Sequence, residues 1–184
     1  SYELHRATGI TQKSAWFVLH RVRLAMKAGS IELPDGGEYF EADESFIGGD
    51  AKNMHAKKRA SKQRTRGGFD KSVVAGIIRR KTRKSPSKVK AKHIKDANSR
   101  TLGAFVRENV PKGSNLHTDA FAAYRNLSGE YTHAVVDHSV EYVRGIVHTN
   151  GCENFFSLLK RTIKGTYVSV EPFHLGAYLD EQSF

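Results

Sequence analysis

Three acids stand where a chain tends to present a side chain singly. Asp43 ends an alternating stretch, Asp119 lies at a strand-to-helix junction, and Glu153 lies near the start of an amphipathic helix. Each has an ordinary use: Asp119 as a helix N-cap, and Glu153, three residues after Asn150, as half of a capping box. Brought together, however, three carboxylates repel one another, which raises their pKa values or opens the site unless something positive holds them. Hard divalent cations with oxygen ligands resolve that conflict, and Mg²⁺ or Mn²⁺ is the choice where phosphate oxygens and water complete the ligand set. Two such ions, about 3.5 to 4 Å apart, activate a water or a 3′-hydroxyl and stabilise the leaving oxygen during in-line attack on a phosphodiester. The chemistry implied is phosphoryl transfer on nucleic acid.

The elements that must position these acids are legible in the hydrophobic pattern. Across His148–Ile163, Cys152, Phe155, Phe156, Leu159 and Ile163 recur at helical spacing, while Glu153, Ser157, Lys160 and Lys164 fall on another face. Lys160 lies two turns beyond Glu153, about 10 Å along the axis, placed to meet a backbone phosphate as a point charge. From Glu38 the period is two, with Tyr39, Glu41 and Asp43 on one face and Phe40, Ala42 and Glu44 on the other. By that alternation Asp43 and Glu44 cannot both line one site. Ser72–Ile78 is a near-continuous apolar strand, and Val89–Ile94, alternating with lysines, reads as an edge strand.

Ser99 is placed to cap a helix that stops before Pro111, and Asn115–Thr118 is a short strand ending at Asp119. A helix over Ala120–Leu127 and a strand over Ala134–Val136 follow, then a loop with His138, Arg144 and His148, and a last helix begins at Phe173. Three strands, helix, strand, helix, strand, helix is the order of an α/β, RNase H-like mixed sheet flanked by helices. In that fold acids stand at the ends of the first and fourth strands and on the late helix, where Asp43, Asp119 and Glu153 fall.

At 184 residues the chain suits one domain with a small appendage and is long enough to bury a substantial core. It has no apolar run near the roughly 18 residues that span a bilayer. The single cysteine, Cys152, excludes an internal disulfide and a CxxC zinc site, and fits a reducing cytosol. Residues 51–95 hold 17 Lys and Arg against one acid, Asp70, so the net charge of +11 comes from one basic block on a mildly acidic body. Residues 1–28 read as helix, turn, helix, broken at Gly9 with Thr11 as a cap. That is either a plain helical hairpin or the end of a helix-turn-helix, with Gln12, Lys13, Ser14 and Arg21 available to DNA. Gly29 and the Pro34–Gly37 turn close it.

The segments Glu41–Gly49 (EADESFIGG), His117-Thr118-Asp119 with Tyr124, and His148–Phe155 (HTNGCENF) running on to Leu159-Lys160-Arg161 resemble the core of bacterial insertion-sequence DDE transposases. Gly165-Thr166-Tyr167 and Tyr178–Glu181 also fit. The closer resemblance is to the group with a zinc ribbon and helix-turn-helix before an RNase H-like core. Glu153 follows Asp119 by 34 positions and Lys160 follows Glu153 by seven, in keeping with that family.

The resemblance implies that Asp43, Asp119 and Glu153 are catalytic and bind two Mg²⁺ or Mn²⁺ ions. It implies DNA contacts at Lys160, Arg161 and Lys164, joined by Lys13 and Arg21 from the helix-turn-helix reading. Asn150 and His148 would support the ligands, and Asn150 stands as a neighbour that orients Glu153 or shares its role. The implied activity is cleavage of double-stranded DNA at transposon ends and strand transfer to a target, by a homo-oligomer on DNA in the bacterial cytoplasm at the nucleoid, with no membrane partner. The alternatives are an RNase H-like nuclease that does not join ends and an inactive, transposase-derived DNA-binding protein. On this reading residues 1–30 are a partial helix-turn-helix and residues 38–184 a catalytic core cut short at its C-terminus. His117, His138 and His148 read as structural histidines first, and Cys152 as a core residue.

Overall fold

The computed structural model describes residues 1–28, 39–49, 55–60, 64–65, 68–69, 71–83, 85–136 and 145–184. Gly29, the Pro34–Gly37 turn, His138 and Arg144 lie outside the described residues. The chain opens with α1 (Tyr2–Thr8) and α2 (Gln12–Ala28). Gly9 ends α1 in the left-handed conformation, with its N–H on His5 O, and the Thr11 hydroxyl accepts the Ser14 N–H at the start of α2.

The central sheet contains β1 (Tyr39–Ile47). A short helix α3 (Ala56–Ala60) and a two-stranded ribbon of β2 (Arg64–Thr65) and β3 (Gly68–Phe69) precede β4 (Ser72–Arg79) and β5 (Lys88–Ile94). After α4 (Ser99–Asn109) come β6 (Asn115–Asp119), a 3-10 helix over Ala122–Leu127, and β7 (Thr132–Val136). The chain then forms α5 (Asn150–Thr162), a wider π turn over Ile163–Tyr167, and α6 (Leu175–Ser183). The five-stranded sheet has the order β5-β4-β1-β6-β7, antiparallel on the β5–β4–β1 side and parallel from β1 through β7. This is the mixed α/β sheet expected of an RNase H-like core, with β5 at one edge.

Alternation along β1 sends its residues into two cores. Phe40 and Ala42 join Val73, Ala75 and Ile77 of β4 beneath α4 and the 3-10 helix. On the opposite face Ile47, Val74 and Ile78 meet Cys152, Phe155, Phe156 and Leu159 of α5 and Leu175 and Leu179 of α6. Gly76, opposite Asp43 in the β1–β4 register, lets α5 lie close: a Cβ there would stand 2.9 Å from the Phe156 ring.

Several local expectations shift. Asn98 rather than Ser99 caps α4, its side chain accepting the Thr101 N–H at 2.8 Å, because the helix begins one residue earlier than the Ser99 pattern suggested. The segment after Asp119 tightens to a 3-10 helix starting at Ala122. In α2, Val18 and Val22 are exposed, while Ala15 is buried and Arg23 is buried against α6. A charged residue can take that core position because Glu181 accepts from Arg23 Nε at 2.8 Å and its guanidinium lies 4.1 Å from the Tyr178 ring centroid. Tyr167 donates to the same Glu181 carboxylate, so α2, the π turn and α6 are tied at one point. No helix among the described residues is long and apolar enough to cross a membrane.

Candidate active site

The last paired residues of the parallel strands β1 and β6 are Ala42 and Thr118. One position further along each strand come Asp43 and Asp119, so register alone sets the two carboxylates side by side on neighbouring strands. Carboxylate oxygens of Asp43, Asp119 and Glu44 all lie within 4.8 Å of one another. All three residues are half-buried. The Asp119 Oδ1 also accepts the Phe121 N–H at 3.0 Å, so its ordinary turn role coexists with its place in the group.

Glu44 corrects the expectation that Asp43 and Glu44 could not share a site. Its Cβ starts on the α4 side of the sheet, where the buried Tyr124 hydroxyl donates to Glu44 Oε2 at 3.0 Å. Pairing with β6 has ended by this point, so although β4 still pairs with Glu44, its other side is open. The longer side chain can then reach the Asp43–Asp119 end of the sheet. Alternation fixes where a Cβ points, not where a flexible carboxylate finishes.

Electrostatics record the crowding. Burial, then Asp119 and Glu44, push the Asp43 carboxyl up to about 8; the Glu44 N–H opposes the shift and Glu153 adds to it. Glu153 is exposed on the first turn of α5 and reaches Asp43 through its charge, outside the tight group of three. Lys160 feels Asp43 as well. Burial and the neighbouring Lys71 lower its pKa, while Asp43 raises it. Lys71 was not anticipated; it precedes β4 and packs its side chain beside Gly48.

The start of α5 departs from the capping-box expectation. The helix begins at Asn150 with Thr149 as N-cap and no side-chain cap bond from it, so Asn150 and Glu153 do not occupy the N-cap and N3 positions of a box. The amides of Gly151 and Cys152 instead donate to Glu41 Oε2, at 2.7 and 3.2 Å. Glu41 is 1% exposed, and its other oxygen pairs with Arg80 Nε at 2.6 Å. Arg80 also donates to the carbonyls of Ile146 and His148, each at 2.7 Å, and contacts His148 Nδ1 at 2.9 Å. His148 thus belongs to the Glu41–Arg80 network; desolvation and Arg80 lower its pKa, matching a neutral ring whose Nδ1 accepts. Asn150 is exposed on the first residue of the helix.

Glu41 and Arg80 went unrecognised in the sequence: Glu41 shares a strand face with Asp43 and Arg80 follows a largely buried strand, but only the fold brings the two together. His117, opposite Glu41 in the parallel register, is buried with its pKa lowered to about 4, first by desolvation and then by Arg80. It is held neutral. Cys152 is buried, and desolvation raises its thiol well above the ordinary range, in line with its reading as a core residue.

Of the cations picked out in the sequence, Lys160, Arg161 and Lys164 are exposed on α5 and the π turn that extends it. Lys13 and Arg21 are exposed on α2. Arg21 also borders a groove of about 1030 Å³ between α2, β5 and α6, whose walls include Lys27, Lys90, Lys92 and Phe173. The acidic group is not part of that groove.

A donor set of carboxylates alone, crowded enough to hold a proton on Asp43 well above the usual range, is what a hard divalent cation would neutralise. Comparisons with known proteins identify the family. Residues 36–184 match the model of the ISXO2-like transposase domain. An uncharacterized transposase-like protein of Haemophilus influenzae is 30% identical over 89 residues, covering 48% of this chain and 72% of the relative. No solved structure matches the chain. Since the domain match spans the whole sheet and every helix from α3 onward, the chain belongs to the ISXO2-like transposase family.

Proposed function

We propose that this chain is a DNA transposase that cleaves phosphodiester bonds at transposon ends and joins the freed 3′ ends to target DNA. The observation that carries the reading is the meeting of Asp43, Asp119 and Glu44 at the ends of two parallel strands, with Asp43 pushed up to about 8 by unrelieved burial and repulsion. Asp43 and Asp119 would hold Mg²⁺ or Mn²⁺, with Glu153 supplied from α5 and Glu44 oriented by Tyr124. Two ions bound there would supply activation of the attacking water or hydroxyl and stabilisation of the leaving oxygen.

The chain's own residues supply the rest. Lys160 lies within electrostatic reach of Asp43 and meets a backbone phosphate at the scissile position, with Lys71 adding a second positive charge. Arg161 and Lys164 extend that contact along α5. Residues 1–30 precede the catalytic core of residues 38–184 as a DNA-binding segment, and Lys13 and Arg21 on α2 take a second stretch of duplex. Pairing of two ends would need a homo-oligomer on DNA, in the bacterial cytoplasm at the nucleoid.

Purified protein incubated with end-containing DNA and Mn²⁺ or Mg²⁺ tests the reading. Joined products that vanish in Asp119→Ala support it, whereas strand transfer surviving Asp119→Ala overturns it. Cleaved but never joined ends would mark a nuclease instead.

A further inference from the structure

The strongest unexplained feature is a second buried carboxylate on the strand that carries Asp43. Glu41 is two residues earlier on the same face, 1% exposed, and not among the group of carboxylates at the strand ends. Its Oε2 receives the Gly151 and Cys152 amides, which are the orphan donors of the α5 N-terminus, where the helix dipole favours a negative charge. These bonds reach across 110 and 111 positions of sequence, whereas a helix start is ordinarily capped by the residue just before it. The N-cap residue Thr149 makes no such bond. Arg80 holds the other oxygen at 2.6 Å and fastens the preceding turn through Ile146 and His148.

Gly151 completes the fit. A Cβ at that position would stand 2.7 Å from Glu41 Oε2, so the carboxylate can reach the helix amides only because residue 151 has no side chain. Glu153 follows Cys152 by one residue, and Lys160 lies two turns further along the same rigid helix. The place of the α5 start relative to β1 therefore fixes where both side chains stand relative to Asp43.

We propose that Glu41 is a positioning residue of the transposase reaction, its buried carboxylate capping α5 so that Glu153 and Lys160 are registered to the strand that presents Asp43. This role rests on the function proposed above, because it takes Glu153 as the third ligand. It differs from a merely stabilising ion pair in one respect: loosening it displaces a ligand without removing one.

Glu41→Gln keeps the size of the side chain but removes its charge and one acceptor, and Gly151→Ala displaces the carboxylate from the other side of the contact. Steady-state cleavage of end DNA with Mn²⁺, hydrogen exchange at the Gly151 and Cys152 amides, and the electron paramagnetic resonance spectrum of bound Mn²⁺ are compared with those of the unaltered chain and of Glu153→Gln. In both variants kcat should fall about tenfold to a hundredfold, the range seen when groups that orient metal ligands are lost. KM for DNA should stay within about twofold, the two amides should exchange at least about tenfold faster, consistent with loss of one hydrogen bond to a charged group, and the Mn²⁺ spectrum should move toward that of Glu153→Gln. Combining the two substitutions should cost no more than either alone, since both break one contact.

Faster exchange with unchanged kcat and an unchanged Mn²⁺ spectrum overturns the proposal, as does a loss of kcat with unaltered exchange. If Glu41→Gln does not fold, Gly151→Ala decides by the same criteria. If the unaltered chain fails to cleave DNA with either metal, the proposed function fails by itself. Exchange and the Mn²⁺ spectrum still decide the place of Glu41, an unaltered spectrum in a folded variant counting against it.

Discussion

Glu41 and Asp43 are two residues apart on one strand, face the same way and meet opposite surroundings. Glu41 is fully compensated: a guanidinium holds one oxygen and two helix amides hold the other. Asp43 faces Asp119 and Glu44 and, among the described residues, forms no ion pair, so burial and repulsion raise its carboxyl to about 8. The difference separates two uses of a buried acid. A carboxylate whose charge is answered inside the protein holds the fold in place, and one whose charge is left unanswered is kept for something that arrives from outside.

The contrast yields outcomes that can break it, and the largest concerns chemistry. Asp119→Ala should lower DNA cleavage by about a thousandfold or more, on the order of the cost of losing a principal electrostatic group in an active site, with little change in thermal unfolding. Glu41→Ala should lower cleavage less but cost far more stability. It leaves Arg80 without its partner and should cost about 3–5 kcal/mol in denaturant unfolding. Equal losses of stability in the two variants would erase the distinction.

Smaller effects refine the picture. Gly76→Ala places a Cβ against the Phe156 ring and lifts α5 off the sheet, for about 1–3 kcal/mol in urea titration. The pH dependence follows from Asp43. Its folded pKa, about 8, lies above the 3.8 of an ordinary aspartate, so the stability this group contributes is fully present below about pH 4 and is lost as pH rises through about 8. Metal-free protein should therefore soften across that window, while Mn²⁺ affinity rises by up to about tenfold per pH unit until Asp43 has lost its proton. Affinity flat from pH 5 to 8 would show that the bound ion does not need the Asp43 charge. The smallest effect is on the apo fold, where Asp43→Asn should raise Tm by about 2–4 °C, equivalent to about 1 kcal/mol in a domain of this size.

Much of the architecture was legible because it follows from period and punctuation. The two-residue alternation located β1, the unbroken SVVAGII run located the buried β4, and lysine alternation marked β5 as the edge. The element order put Asp43 and Asp119 each at a strand end, and the parallel β1–β6 register sets those ends side by side. What stayed hidden depends on partners distant in sequence. Glu41 looks like any acid in an alternating strand until Arg80 and the start of α5 fold onto it. Glu44 was excluded by a rule about Cβ directions, which holds for its Cβ but does not fix where its longer carboxylate ends once pairing with β6 has stopped. Nothing local in α2 announces that Glu181, Tyr167 and Tyr178 will surround Arg23.

The basic block also divides on inspection of its partners. Arg79 is buried with its guanidinium on the Pro86 carbonyl, and Arg80 serves Glu41, so these two charges are internal. Lys71, by contrast, stands close enough to Lys160 to depress its pKa, which suits a phosphate arriving between them.

Calorimetric titration of Mn²⁺ into the metal-free chain at pH 8, alongside Asp43→Asn and Glu41→Gln, tests most directly whether the unanswered acid is the metal-binding one. Binding about a hundredfold weaker in Asp43→Asn, with Glu41→Gln within about tenfold of the unaltered chain, is the expected result, since one change removes a ligand and the other only loosens its support. Binding that survives in Asp43→Asn and is lost in Glu41→Gln would contradict it.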